Sequence, residues 1–453
     1  MKFNPHPYQQ RAIDFVIDKP NCALLLDMGL GKSVITLTAI AMLRDYLEVE
    51  KVLVVAPKKV AETTWSDEAS KWEHTRHLRV SRVLGTEKQC VSALQSKADI
   101  YVISRDSFVW LVKHYKAKLP FDMCVLDELT SFKSSTSKRF KAFRLVRSQF
   151  TRIVGLTGTP APNGYEDLWG QFFCIDGGER LGKYKTRYIE AYFSYRMTAQ
   201  MYRIGTKLRP GSMEAINERI SDICISMKAE DYLSLPDITF IPYPVQLPEA
   251  LMRQYHQFQR DQLMTLCDGS GSSREITAAN AAGLMNKLLQ FCNGAVYCDE
   301  RDVQRIHGEK LNALTEIVEA AQSPVLVFYQ FQHDITRITE ALKGYKVEQY
   351  EDGETLKRWN AGKIDVLLAH PASTAYGLNM QQGGHVICWF GTGYNAELYE
   401  QANARLHRQG QKHNVRVYQL YVPGTFDEKA IEALNGKITI QDSLMNAIKE
   451  LHQ

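Results

Sequence analysis

Four residues near the amino end have types and spacing suited to holding a polyphosphate. They lie in the run Asp27-Met28-Gly29-Leu30-Gly31-Lys32-Ser33, directly after an apolar stretch and before a helical one. Gly29 and Gly31 let the backbone turn tightly and offer its N–H groups to phosphate oxygens. The start of the following helix favours negative charge. Lys32 can reach the outer phosphates, and the Ser33 hydroxyl can hold a magnesium ion. The long form of this pattern needs glycine at position 26, where Leu26 stands; the short Gly-x-Gly-Lys-Ser form is complete.

A second group is the pair Asp127-Glu128, which ends the apolar run Val125-Leu126. Carboxylates at the carboxyl end of a parallel strand stand where α/β folds bind ligands. Asp127 can hold the metal through water, and Glu128 can orient or deprotonate an attacking water. A helix cap is the bland alternative for such a pair. A third segment, Gly155-Leu156-Thr157-Gly158-Thr159-Pro160, offers two hydroxyls on a turn. Near the carboxyl end, Gln401 to Gln411 carries Arg405 and Arg408. Three residues apart, they are expected on one helix face, from which two guanidiniums can meet a triphosphate. A solvated basic face is the alternative.

The elements that must position these groups show as short apolar runs. Asn21 to Asp27, Val52 to Ala56, Ile100 to Ile103, Met123 to Leu126 and Arg152 to Leu156 fit strands buried on both faces. Amphipathic stretches such as Ser33 to Leu47 separate them, so a doubly wound parallel sheet is expected. The rhythm returns at Val325 to Tyr329, Val347 to Tyr350, Ile364 to Ala369, Val386 to Phe390 and Val415 to Val422. The fold class is therefore α/β, with two doubly wound parallel-sheet lobes and helical insertions between them. Lobe 1 is expected over 1–235, with a helical protrusion at about 165–229. Lobe 2 is expected over 236–453, with a helical segment at about 247–292, a core at about 305–440 and a C-terminal helix. Pro236, Pro242, Pro244 and Pro248 disfavour continuous helix at the boundary.

A chain of 453 residues exceeds what one core usually serves. Its 45% hydrophobic and 23% charged content is ordinary for a globular protein. The net charge of +4 permits a nucleic-acid partner without demanding one. Nine scattered cysteines without a Cys-x-x-Cys pair point away from disulfides and structural zinc. No apolar run approaches a membrane span and no signal segment is visible, so a cytoplasmic, non-membrane protein is expected, in the host cytoplasm if viral.

These segments, in this order, resemble the Swi/Snf-like branch of superfamily-2 helicases, in its compact bacteriophage and bacterial form. Tyr8-Gln9 is similar to the branch's adenine-reading glutamine motif, and Asp27 to Ser33 to its phosphate loop. Ala56-Pro57-Lys58 with Trp65 and Trp72, Ile103-Ser104-Arg105, Asp127 to Lys133, Leu156 to Asn163, Val325 to Gln330, Gly377 to Met380 and Gln401 to Gln411 are similar to the later motifs. Thr130 stands in the place of the box histidine. The resemblance implies two RecA-like lobes and a DNA-dependent ATPase, with ATP and magnesium as cofactors. ATP would be bound by Gln9, Met28, Gly29, Leu30, Gly31, Lys32, Ser33 and Gly377. Magnesium would be held by Ser33 and Asp127, and catalysis would rest on Lys32, Asp127, Glu128, Arg405 and Arg408. It further implies translocation on double-stranded DNA by a monomer, in repair or recombination, with a replication or recombination partner not identified. Lys58, Lys59, Ser104, Arg105 and Ser373 are the implied DNA contacts; the basic run Lys133, Lys138, Arg139, Lys141, Arg144 and Arg147 is another candidate, with a solvated helix face as its alternative. Strand separation or annealing is one alternative activity, and a nucleotide-switched DNA clamp with little turnover is another.

Overall fold

The computed structural model describes residues 1–158, 160–161, 164–197, 203–232, 235–267, 278–298, 302–374 and 378–434. It divides into two compact units, Met1–Ser234 and Leu235–Gln453. The first holds strands β1 (Asn21–Leu26), β2 (Val52–Ala56), β3 (Val80–Val83), β4 (Ile100–Ser104), β5 (Met123–Asp127), β6 (Arg152–Thr157), β7 (Phe193–Met197), β8 (Arg203–Leu208) and β9 (Cys224–Met227). Seven of them form one sheet in the order β3-β4-β2-β5-β6-β1-β9, every neighbouring pair parallel. Helices cover both faces. That explains why β2, Val-Leu-Val-Val-Ala, is buried at every position instead of alternating with polar residues.

The second unit holds β10 (Ile238–Pro244), β11 (Ala295–Tyr297), β12 (Val303–Arg305), β13 (Val325–Phe328), β14 (Val347–Gln349), β15 (Val366–Ala369), β16 (Val386–Trp389) and β17 (Val415–Tyr421). Its main sheet runs β10-β17-β16-β13-β15-β14, again wholly parallel. The pleat divides each strand between two cores. Val325 and Val327 pack on one face with Leu314 and Ile338. Leu326 and Phe328 pack on the other with Trp359 and Trp389. The helices Glu249–Cys267 and Ala278–Asn293 share a smaller core around Tyr255, Leu288, Phe291 and Phe426.

Two expectations need correction. The segment 165–229 is not a purely helical protrusion. Its helix Glu166–Asp176 lies in the main core of the first unit through Leu168, Phe172 and Ile175. Further on it carries the antiparallel pair β7–β8, and β9 completes the sheet beside β1. The proline-rich stretch after Pro236 holds no helix, as its prolines require, and forms strand β10. Val245 N–H bonds to Tyr421 O, so odd-numbered residues face β17. Pro242 and Pro244 fall at even positions, where the missing N–H points away from the sheet; this is how an edge strand tolerates proline. Finally, the helix expected to carry both arginines ends earlier, at Asn403. Arg405 and Arg408 stand in the turns that follow it, and Gly410, at φ +94°, takes the chain out of those turns.

Candidate active site

The order of the first sheet sets β1, β6 and β5 side by side, all pointing the same way. Leu25 pairs with Thr157, and Asp127 with Leu156. The loops at their carboxyl ends therefore meet. The loop after β1 turns at Gly29 (φ +90°) and Gly31 (φ +84°), and Gly31 caps the helix Lys32–Asp45. Any side chain at Gly31 would be strained, and its Cβ would also stand 2.8 Å from Gln9 Nε2. That glutamine is buried. It donates to Leu30 O at 3.4 Å and accepts from His6 N at 3.0 Å, so it fastens the first helix, Pro7–Asp18, onto the phosphate loop.

The Lys32 ammonium folds over the loop and donates to Leu26 O at 2.5 Å and Asp27 O at 3.2 Å. A Cβ at Gly158 would lie 3.6 Å from the same Nζ, which places the end of β6 against the loop. Ser33 is half-buried one residue further along the helix, and Met28 and Leu30 belong to the loop itself, Leu30 fully buried. Thr159, Pro162 and Asn163 lie outside the described residues.

Asp127 Oδ2 accepts from Trp65 Nε1 at 2.9 Å. Glu128 Oε1 accepts from both Thr130 and Thr157 hydroxyls, each at 3.1 Å. Glu128 is one of few non-glycine residues with positive φ, at 62°, a conformation that costs energy and recurs at functional sites. Burial pushes both carboxyls above their usual range. The nearby Lys32 charge opposes that shift at both, as do the Trp65 bond at Asp127 and the threonine bonds at Glu128. Thus Lys32 and the two acids share one electrostatic environment. The arrangement fits a magnesium polyphosphate: backbone N–H groups and an ammonium for phosphate, a hydroxyl and a carboxylate for metal, and a held carboxylate for water.

In the second unit, Arg405 is 1% exposed. Its Nε donates to Gln401 O at 2.9 Å and its Nη1 to Leu378 O at 3.3 Å. Arg408, half-buried, donates to the same Leu378 O at 3.0 Å. Both guanidiniums therefore gather at the segment that follows Gly377, a residue itself outside the described set. Gln411 fixes the loop: its amide nitrogen donates to Gln381 O, Gly384 O and Leu406 O, and its oxygen accepts from Lys412 N and His413 N.

Comparison with known proteins decides the family. Residues 8–295 match the SNF2-related domain, and residues 309–410 match the helicase conserved C-terminal domain. The chain belongs to the SNF2-related family. It is similar to protein p41 of Acyrthosiphon pisum secondary endosymbiont phage 1, at 36% identity over 99% of both chains. It is also similar to the uncharacterized ATP-dependent helicase MG018 of Mycoplasma genitalium, at 24% identity over 96% of this chain and 41% of that one. The chain thus spans about two-fifths of the length of that longer relative. The fold resembles the Pyrococcus furiosus Hef helicase domain, with a TM-score of 0.55 at 16% identity over 94% of this chain and 97% of that one. The protein is accordingly an SNF2-type, ATP-using hydrolase of the helicase and translocase class.

The DNA contacts expected of this SNF2-related ATPase are placed unevenly. Lys58 and Lys59 are exposed just beyond β2, and Arg105 follows β4, its N–H bonded to Ala56 O. Ser104 is buried, with its hydroxyl on Ser107. Lys133 pairs with Asp167 at 3.3 Å, and the Ser373 hydroxyl donates to His370 O at 2.7 Å. The bond from Trp65 to Asp127 spans 62 residues, and no spacing in the sequence announces it. Thr157, expected on a turn, is the last residue of β6, and nothing in the sequence marks it as a donor to Glu128. Among the described residues no cluster of three or more metal-ligating side chains exists, and no helix is long and apolar enough to cross a membrane.

Proposed function

We propose that the protein is a DNA-dependent ATPase motor that couples hydrolysis to translocation along double-stranded DNA. The observation that carries this reading is the convergence of Lys32, Asp127 and Glu128 at the adjoining carboxyl ends of β1 and β5, with β6 between them supplying Thr157. Gln9, Met28, Gly29, Leu30, Gly31, Lys32 and Ser33 hold the nucleotide. Ser33 and Asp127 would hold a magnesium ion, which would supply charge neutralisation at the phosphates. Glu128 orients the attacking water and takes its proton. Thr130 and Thr157 keep that carboxylate aimed and favour its charged form. Arg405 and Arg408 stabilise charge developing on the transferred phosphoryl group, as arginine fingers do.

Loss of the outer phosphate changes the charge held at the phosphate loop, and that change supplies the step. Support for a DNA track comes from the basic rim beyond the adjacent strands β2 and β4, where Lys58, Lys59 and Arg105 stand on the same sheet edge as the phosphate loop. Phosphate release measured with and without duplex DNA tests the reading. Duplex is expected to stimulate turnover, and Lys32→Ala and Arg408→Ala are expected to lack it. Full activity in either variant would refute the assignment, and binding without stimulated turnover would select a clamp.

A further inference from the structure

Residues 178–210 hold eight basic side chains against two acidic ones, an excess of six, whereas the whole chain carries only +4. The only comparable run, 133–152, is largely committed to internal partners: Lys133 to Asp167, Arg139 to Asp106, Arg147 to Ile175 O and Arg152 to Glu48. In the first segment Arg180 is similarly engaged with Asp222. The others are disposed differently. Lys183, Tyr184 and Arg187 are exposed at the start of the helix Lys185–Tyr192, and Lys207 and Arg209 are exposed on and just after β8. Lys183, Arg187, Lys207 and Arg209 have no carboxylate partner among the described residues.

These residues form a stripe. Arg187 lies one turn after Tyr184, and its guanidinium sits 5.6 Å from that ring's centre. Ala191 lies one turn further on, and its carbonyl accepts from Arg209 Nη1 at 3.3 Å. Arg209 N–H bonds to Tyr192 O, which ties the base of the β7–β8 pair to the same helix end. Register places Ser194 opposite Lys207, on the face turned away from the buried Phe193. A helix of eight residues is about 12 Å long, enough to run beside two or three phosphates of a strand. The base of the stripe is rigid, because Phe193 and Tyr188 are buried in the main core.

From this placement we infer that the stripe is a second DNA-binding surface, which takes the unpaired strand at a junction between duplex and single strand. Lys183, Arg187, Lys207 and Arg209 neutralise consecutive phosphates. Tyr184, 57% exposed, offers its ring to a base. Base faces are hidden within a duplex and become available only where pairing ends, and stacking on a tyrosine ignores sequence. The inference rests on the proposed DNA-dependent motor only for the choice of DNA as ligand. It adds where the motor stops or starts.

The test is equilibrium binding of a fluorescent blunt duplex and of the same duplex with a single-stranded tail, over a salt series, using the full chain. The wild type is expected to prefer the tailed duplex. The variant Lys183→Ala/Arg187→Ala/Lys207→Ala is expected to lose that preference, with the log–log salt slope on the tailed duplex smaller by about 2, at ~0.7 per single-strand phosphate contact. Tyr184→Ala is expected to lose most of the preference with the slope unchanged, and Tyr184→Phe to keep it. ATP hydrolysis without DNA should match wild type in all three, which excludes misfolding. A triple variant that binds the tailed duplex with wild-type affinity and slope overturns the inference. Wild-type turnover that ignores DNA while the tail preference persists would instead sink the motor reading and leave the stripe standing.

Discussion

Glu128 occupies a left-handed backbone conformation, half-buried, with two threonine hydroxyls on one carboxylate oxygen. Burial raises its pKa, and the threonine bonds act against that. As a base it must be ionised, so turnover should fall as pH drops through its folded pKa. Thr130→Val and Thr157→Val each remove a donor to the charged form, so the acidic limb of the kcat–pH profile should move to higher pH; a limb that stays put contradicts the role. The raised pKa also has a stability sign. The folded state holds the proton more tightly than the unfolded one, so ionisation destabilises the fold as pH rises above the unfolded value of about 4.3. Glu128→Gln should therefore raise the melting temperature at pH 7, the gain vanishing near pH 4, while kcat falls by roughly 10²–10⁴. Lys32 and the glycines were legible because that loop demands residue types few other structures need. The partners of Glu128 and Asp127 were not, because they reach the site from other strands and helices through the fold alone.

Among the elements, the arginine segment separates two kinds of contribution. Arg405 is buried and binds two carbonyls, whereas Arg408 is half-buried. Arg405→Ala should lower both turnover and the stability of the second unit by about 1–3 kcal/mol, since it strands buried carbonyls. Arg408→Ala should cost turnover, about 10³-fold or more, with little change in stability. Thermal unfolding beside phosphate release checks the split. A second element-scale prediction concerns Lys310 and Asp427, paired at 2.7 Å with side chains essentially inaccessible. Lys310 Nζ also donates to Asn293 Oδ1 and Phe390 O, so one ammonium joins the helices that begin at Glu309 and end at Asn293 to the helix Phe426–Leu434. Lys310→Met should cost about 3–5 kcal/mol, because it leaves a buried charge alone. Hydrogen exchange should report it as faster opening of those helices. Most strands of both sheets were visible as β-branched runs. β10 was not, because its prolines argue against a strand until its edge position is known. β9 was missed because four residues within a basic, aromatic stretch carry little pattern.

At the scale of the whole molecule, the chain forms two parallel-sheet units, the phosphate loop and the carboxylates lying in the first and Arg405 and Arg408 in the second. The doubled architecture was legible because the strand rhythm occurs twice. The charge distribution was not legible from a net value of +4, since the basic stretches at 133–152 and 178–210 are offset by acidic excess elsewhere. The central claim is that hydrolysis and DNA engagement belong to one cycle, and steady-state phosphate release across a duplex DNA titration tests it most directly. Saturable stimulation that disappears in Lys32→Ala is the predicted result. A rate indifferent to duplex at concentrations where the protein is bound would contradict it.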